Sequence, residues 1–256
     1  MYKLLFPMKM TIAASLIISA LTSCQLPTYQ ATSASHPVLV AESSNHSTRN
    51  AYLTFDDGPS ENTERILHIL RKYGIHATFF VNGNSTPEGK RLYRLIHADG
   101  HVIGNHTYTH NYNSLYTSVQ AFSQDTERLE RLLEQTIGVR STLIRYPGGS
   151  NNLVSHRFGG KGIMPRIIHE MSKEGYDYMD WNVSSTDAAR VVQPTNEIID
   201  AVLSSSKNKK EAIILMHDVK VKTTTVAALP AIIEGLQKQG FQFQVLSKDS
   251  FHFHFQ

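Results

Sequence analysis

The sequence predicts an α/β fold, a distorted or incomplete (β/α) barrel with its active site at the strand C-terminal ends. Three observations lead there. From about residue 50 onward, strand-like and helix-like segments alternate, the pattern of a parallel sheet with covering helices. Seven or so such units occupy roughly 200 residues, the scale of a barrel rather than of two small domains. Polar residues capable of chemistry recur just past the strands and are sparse at their starts, and a barrel gathers strand ends on one face. An open doubly wound sheet is the alternative. No G-x-G-x-x-G or phosphate-loop signature points to a nucleotide.

The elements follow in order. Ala51-Tyr52-Leu53-Thr54-Phe55 is rich in β-formers and ends at the Gly58-Pro59 turn. Thr63 to Tyr73 carries Ile66, Leu67, Ile69 and Leu70 at helical spacing and stops at Gly74. Ala77 to Val81 is the next strand, Lys90 to Ala98 a helix stopped by Gly100, and His101 to Gly104 a short strand. Ser118 to Ile137 is a long amphipathic helix ended by Gly138. Leu143 to Tyr146 is a strand closed by Pro147-Gly148-Gly149. Then come a helix over Met164–Glu174, a strand-like run over Asp177–Val183 and a helix over Thr195–Leu203. A buried-type strand over Glu211–Met216, a helix over Thr225–Gln239 and a last strand over Phe241–Leu246 complete the series.

Before this domain the chain has a different character. Met1 to Ser23 places Lys3 and Lys9 ahead of the apolar run Thr11–Leu21, the layout of an export signal. The run is too short to favour a membrane-spanning helix. It ends in Leu21-Thr22-Ser23-Cys24, which resembles the lipobox of bacterial lipoproteins, where the cysteine is acylated after cleavage. An ordinary secretory signal with an incidental cysteine is the alternative. Cys24 is the only cysteine, so no disulfide can form within the chain. Residues 25–50 are rich in Ser, Thr, Ala, Asn and His and read as a flexible tether. The expected organisation is a signal at 1–23, a tether from lipidated Cys24 over 24–50, a folded domain over 51–250 and a tail over 251–256. A net charge of +3 and a short basic cluster at Lys207–Lys210 give no basis for nucleic-acid binding.

The stretch Thr54-Phe55-Asp56-Asp57-Gly58-Pro59 places two carboxylates side by side at a strand end, although adjacent like charges repel where water is scarce. A solvated turn with Asp bonding its own backbone uses the same residues, so other groups must decide. After the third strand comes His106-Thr107-Tyr108-Thr109-His110, whose two histidines share a face if the segment is helical. Thirteen histidines make chance pairs common, so the pair alone decides little. Arg145-Tyr146-Pro147-Gly148-Gly149, Asp180-Trp181 and Leu215-Met216-His217-Asp218 follow, each at a strand end and about 35 to 50 residues apart.

With these five motifs in this order, residues 50 to 250 resemble the polysaccharide deacetylase, or NodB-homology, family of metal-dependent carbohydrate esterases. R-Y-P-G-G-S and D-W-N-V are most similar to bacterial cell-wall deacetylases that act on N-acetylglucosamine of peptidoglycan. The resemblance implies roles. Asp57, His106 and His110 would hold one divalent metal, zinc by default, although the ligand set suits other first-row ions. Asp56 would be the general base and Arg145 its partner. His217 would protonate the departing amine, oriented by Asp180. The Tyr146 backbone N–H would face the oxyanion, and Trp181 and Leu215 would form the acetyl pocket. Tyr146 stands where the family often has Phe or Pro, and Gly148 where some members carry a larger residue that touches sugar. Asp218 receives no chemical role, and His252 and His254 lie in an aromatic tail.

The expected activity is removal of N-acetyl groups from a cell-envelope polysaccharide. Chitin-like oligomers, an exopolysaccharide or acetylated xylan are alternative substrates, and a non-catalytic wall-binding lipoprotein is the alternative of another class. The expected location is the outer face of a bacterial membrane through the lipid anchor, or free secretion if the lipobox is not used. The sequence does not set the oligomeric state. Two or more acyl chains anchor firmly where one binds marginally. Cys24→Ser is therefore expected to release the protein or leave it unprocessed. Unchanged membrane partitioning, with no acyl mass on the wild type, would contradict the anchor.

Overall fold

The computed structural model describes residues 48–255; the signal segment, Cys24 and nearly all of the tether lie outside them. Strand β1 (Arg49–Asp56) leads into α1 (Thr63–Tyr73), β2 (Thr78–Val81), α2 (Pro87–Ala98) and β3 (Val102–Asn105). Next come α3 (Tyr112–Leu115), α4 (Val119–Ile137), β4 (Leu143–Ile144), α5 (His156–Gly159) and α6 (Ile163–Lys173). The chain continues with β5 (Asp177–Tyr178), β6 (Val183–Ser184) and a 3-10 turn at Asp187–Ala189. It ends with α7 (Thr195–Ser206), β7 (Glu211–His217), α8 (Thr223–Lys238) and β8 (Phe241–Phe243).

All strand pairings are parallel, in the order β5-β4-β3-β2-β1-β7-β6, with β8 added beside the start of β1. Sheet order and sequence together force the sheet to curl. β5 and β6 sit at opposite edges, yet only four residues join them. Five chain steps reach about 18 Å at most, whereas a flat sheet of this order would set those edges roughly 29 Å apart. Residues 177–184 therefore run as one segment that leaves β4 at Tyr178↔Ile144 and joins β7 at Val183↔Ile214. The result is the distorted barrel expected, and the single strand-like run expected over Asp177–Val183 is the piece that closes it.

Alternation along the strands sorts the side chains into two apolar regions. In β1, Ala51, Leu53 and Phe55 face the outer core under the helices, with Ala212, Ile214 and Met216 of β7 beside them. Tyr52 and Ile213 face inward to a smaller cluster with Phe80, Leu143, Met179 and Leu246. Both faces are apolar, as in a sheet covered by helices. The helices begin and end as their sequences dictate. The Ser118 side chain accepts the Ala121 N–H at the start of α4, and Gly138 closes it in the left-handed region at φ 72°.

Two departures from the expected boundaries fill the inner cluster. β8 stops at Phe243 because the chain turns inward, where Leu246 donates its N–H to Thr78 Oγ1 and its side chain enters the inner cluster. Structure also continues past residue 250. Phe251 and Phe253 pack on the inner cluster, and Phe253 O accepts the Asp180 N–H.

Candidate active site

Asp56 is the last residue of β1 and points inward, in phase with Tyr52 and Thr54. Its Oδ1 accepts Arg145 Nη1 at 2.9 Å, and the pair is buried. Burial raises the Asp56 carboxyl above the ordinary carboxylate range, and the charges of Arg145 and His217 pull against it. Arg145 itself is fully buried and donates to Thr54 Oγ1, Met179 O and Asp180 O as well. Asp57 then leaves the strand in a left-handed conformation, φ 70°, which Asp tolerates better than most residues. The neighbouring carboxylates thereby aim at different partners. Gly58 is required next to them, because a Cβ there would lie 2.5 Å from Asp218 Oδ2. Asp218 is buried and accepts Ser60 Oγ and Thr63 Oγ1, so it shapes the turn. Burial pushes its carboxyl up to about 7.

His106 and His110 meet Asp57 without a helix. The helical presentation offered by sequence spacing is not what forms. Thr107 and His110 both take left-handed backbones, φ 69° and 51°, so the segment doubles back on itself. Asn82 Nδ2 donates to the carbonyls of His106 and Thr107 and holds that bend. His110 Nε2 lies 3.3 Å from Asp57 Oδ1, and His106 Nε2 lies 3.5 Å from the same oxygen. His106 Nδ1 sits 2.7 Å from Arg145 O, which accepts a proton and not a lone pair, so Nε2 carries the lone pair facing Asp57. Burial, helped by the charge on His110, pushes the His106 imidazole down to about 3, which keeps it neutral.

The three residues fit a divalent cation on three counts. Their ligand atoms lie within 4.8 Å of one another. Asp57 Oδ1 is buried, without a hydrogen-bond partner, at the centre of the group. One carboxylate and two imidazoles are a donor set for zinc and other first-row metals, with positions left open for water and substrate.

His217 ends β7 directly opposite Asp56 in the β1–β7 register. Its partner is Asp187, not Asp180. Asp187 Oδ1 accepts His217 Nδ1 at 2.7 Å, and Oδ2 accepts the His217 N–H and Thr225 Oγ1. Lys222 Nζ donates to the carbonyls of Asp187, Arg190 and Val191 and fixes the turn that carries this carboxylate. Burial alone would lower the His217 imidazole; the hydrogen bond and charge of Asp187, with the charges of Asp56 and Asp57, outweigh it and raise it to about 9. Asp180, expected in this role, points elsewhere because it sits within the closing segment and not at its end. Its carboxylate accepts Ser150 N, Ser150 Oγ and Phe255 N. Asp180 lies in the link between β5 and β6, and the first carboxylate past the end of β6 is Asp187, in the 3-10 turn.

The remaining expected residues are all near the site, with distinct surroundings. The Tyr146 ring is buried in a third apolar cluster with Phe122 and Tyr178. Its N–H has no acceptor among the described residues. Leu215 is buried two residues before His217. Trp181 packs edge to face on Phe255 at 4.9 Å, and its ring lies 5.8 Å from the Arg145 guanidinium carbon. A Cβ on Gly149 would meet both of those rings, at 3.0–3.3 Å. His254 stacks on Tyr178 at 3.8 Å, so the aromatic tail is part of the structure.

Paired strand-end carboxylates, an imidazole pair and a separate His–Asp couple on one barrel face have known counterparts. The sequence model for polysaccharide deacetylases matches residues 43–158. A peptidoglycan-N-acetylglucosamine deacetylase of Bacillus cereus is 32% identical over 207 residues, covering 79% of this chain and 71% of that protein. The chain belongs to the polysaccharide deacetylase family and is a hydrolase of that class. A chitooligosaccharide deacetylase of Rhizobium leguminosarum is 31% identical, over 77% of this chain and 90% of that protein. The crystal structure of the catalytic domain of a peptidoglycan N-acetylglucosamine deacetylase from Eubacterium rectale is similar with a TM-score of 0.78 and 35% identity. It covers 86% of this chain and 99% of that domain.

Asp187 and Asp180 give different expectations for pH dependence. The acid role that the resemblance implies for His217 requires the proton, so activity resting on it should be lost as pH rises through about 9. Asp187→Asn removes the charge that holds the proton, and the alkaline limb of kcat/KM should move to lower pH by about 1–3 units. Asp180→Asn should leave that limb in place. The reverse pattern in a pH–rate series would return the orienting role to Asp180.

Proposed function

We propose that this enzyme removes N-acetyl groups from a cell-envelope polysaccharide, in particular from N-acetylglucosamine residues of peptidoglycan. The observation that carries the chemistry is the Asp57–His106–His110 group beside Asp56, with His217 next to Asp56 in register, each of the latter two with its own counter-ion. The polymer is proposed because relatives named for peptidoglycan share 32% and 35% identity with this chain. A divalent cation, which we take to be zinc, would be held by Asp57, His106 and His110, where it would polarise the acetyl carbonyl and acidify water.

The chain's own residues would do the rest. Arg145 occupies Asp56 Oδ1, which leaves Oδ2 to take the proton of the attacking water; Oδ2 faces the triad, 3.7 Å from His106 Nε2. The unpartnered Tyr146 N–H would bind the oxyanion that forms on the acetyl oxygen. His217 gives its Nδ1 proton to the bond with Asp187, so Nε2–H is the donor to the amine nitrogen as the C–N bond breaks. An amine is too basic to leave unprotonated, which is why a histidine raised to about 9 suits this position. Leu215 and Trp181 are proposed to line the acetyl methyl's pocket. The lipobox-like Leu21–Cys24 supports a further proposal, that the enzyme is tethered to the outer face of a bacterial membrane.

The reading is tested by acetate release from peptidoglycan, chitooligosaccharides and acetylated xylan, with metal content measured in parallel. His110→Ala should lose bound metal and nearly all activity; full metal occupancy in that variant would remove the triad from consideration. Preference for chitooligosaccharides over peptidoglycan would move the substrate and leave the chemistry intact. The acid and base separate by leaving group. An aryloxide needs no proton to depart, so His217→Ala should hydrolyse an activated aryl acetate far better, relative to wild type, than it deacetylates the sugar amide. Asp56→Asn should fail on both. General acid–base steps are worth about 10²–10⁴-fold, which sets the size of the contrast. Equal losses on amide and ester in His217→Ala would point to binding or folding instead.

A further inference from the structure

The histidine loop has an anchor that none of the five motifs contains. Thr107 and His110 hold left-handed backbones, which non-glycine residues keep only when their surroundings fix them. His110 Nε2 comes within 3.3 Å of Asp57 only because the loop is held in that bend. Helix α4 supplies the hold. Asp125 Oδ1 accepts the N–H of Tyr108 at 2.6 Å and of Thr109 at 3.0 Å, two consecutive donors lying between the histidines. The Arg128 guanidinium covers the Tyr108 ring at 3.7 Å.

A second carboxylate of the same helix holds the start of the loop. Buried Glu130 accepts Asn105 Nδ2 through Oε1 and the Ser141 N–H through Oε2, each at 2.7 Å. Asn105 Oδ1 in turn accepts the Thr107 N–H at 2.8 Å. Asp125 is not serving α4 itself. The helix is capped by Ser118, and Asp125 lies well past the first turn.

We propose that Asp125 is a positioning residue for metal binding, which keeps His110 in place opposite Asp57 by tying down the Tyr108 and Thr109 backbone. The inference rests on the reading of Asp57, His106 and His110 as the metal site. Groups that orient metal ligands from outside the coordination sphere typically contribute 10–100-fold to affinity.

The test is the zinc dissociation constant of the purified full-length protein, measured by competition with a chromophoric chelator, with circular dichroism to confirm the fold of each variant. Asp125→Ala should bind zinc about 10–100-fold more weakly than wild type. Asp125→Asn keeps an oxygen that can accept both N–H groups and should stay within about threefold of wild type. Gln124→Ala, on the exposed face of the same helix, should change nothing. Wild-type affinity in Asp125→Ala would overturn the inference. So would equal weakening in Asp125→Asn, which would assign the effect to charge, or in Gln124→Ala, which would assign it to the helix as a whole. If wild type binds no more zinc than His110→Ala, the metal reading fails, and this inference falls with it; the two failures are thus distinguishable.

Discussion

The buried guanidinium of Arg145 is the contact on which the rest of the site depends. Taking a cation and a carboxylate out of water is costly, and their attraction offsets that cost only when the remaining donors are also used. Here they are used. Nε and Nη2 reach the main-chain oxygens of Met179 and Asp180, Nη1 reaches Thr54 and Asp56, and the guanidinium carbon lies 4.2 Å from the Phe80 ring centre. The carbonyl of the same residue accepts from His106 and sets its tautomer. One residue thus fixes the proposed base, orients a proposed metal ligand and pins the segment that closes the barrel. Lysine could not replace it, because a point charge lacks the planar fork that reaches several strands at once.

Around that centre the fold keeps like charges apart by giving each its own partner. Asp56 has Arg145, Asp57 has the imidazoles, Asp187 has His217 and Asp218 has two hydroxyls. Asp56 and His217 are direct neighbours in register, so the proposed base and the proposed acid come from the paired ends of β1 and β7. Their environments push them in a useful direction. Burial makes the carboxylate a stronger base, and Asp187 makes the imidazole hold its proton.

Most of this was legible in the sequence, because it follows from one rule. Residues past the ends of parallel strands converge, so Asp56, His106, Arg145 and His217 could be placed together without knowing any distance. The orienting role that the resemblance implies for Asp180 falls instead to Asp187. Asp180 sits beside the only tryptophan and looks like a motif, but it lies in the link between β5 and β6, whereas Asp187 lies in the 3-10 turn that follows β6. The presentation of His106 and His110 is not legible from spacing, for a different reason. Spacing of four permits a helix, but the bends at Thr107 and His110 are set by Asn82 and by carboxylates of α4. Those partners lie some 16 to 25 residues away in sequence, and no local pattern announces them. Nor does composition reveal that an aromatic tail fills the inner cluster.

The pairing of β1 with β7 has a consequence for how the chain is made. Residues 50–56 find their central neighbour only at residues 211–217, and the closing segment meets Phe253 later still. During synthesis, no early portion of the domain can complete its sheet, so a ribosome-bound fragment exposes apolar strand edges until nearly the whole domain has emerged. High contact order of this kind slows folding and lengthens exposure to aggregation. The architecture that assembles distant residues into one site therefore also makes the chain dependent on protection while it is incomplete.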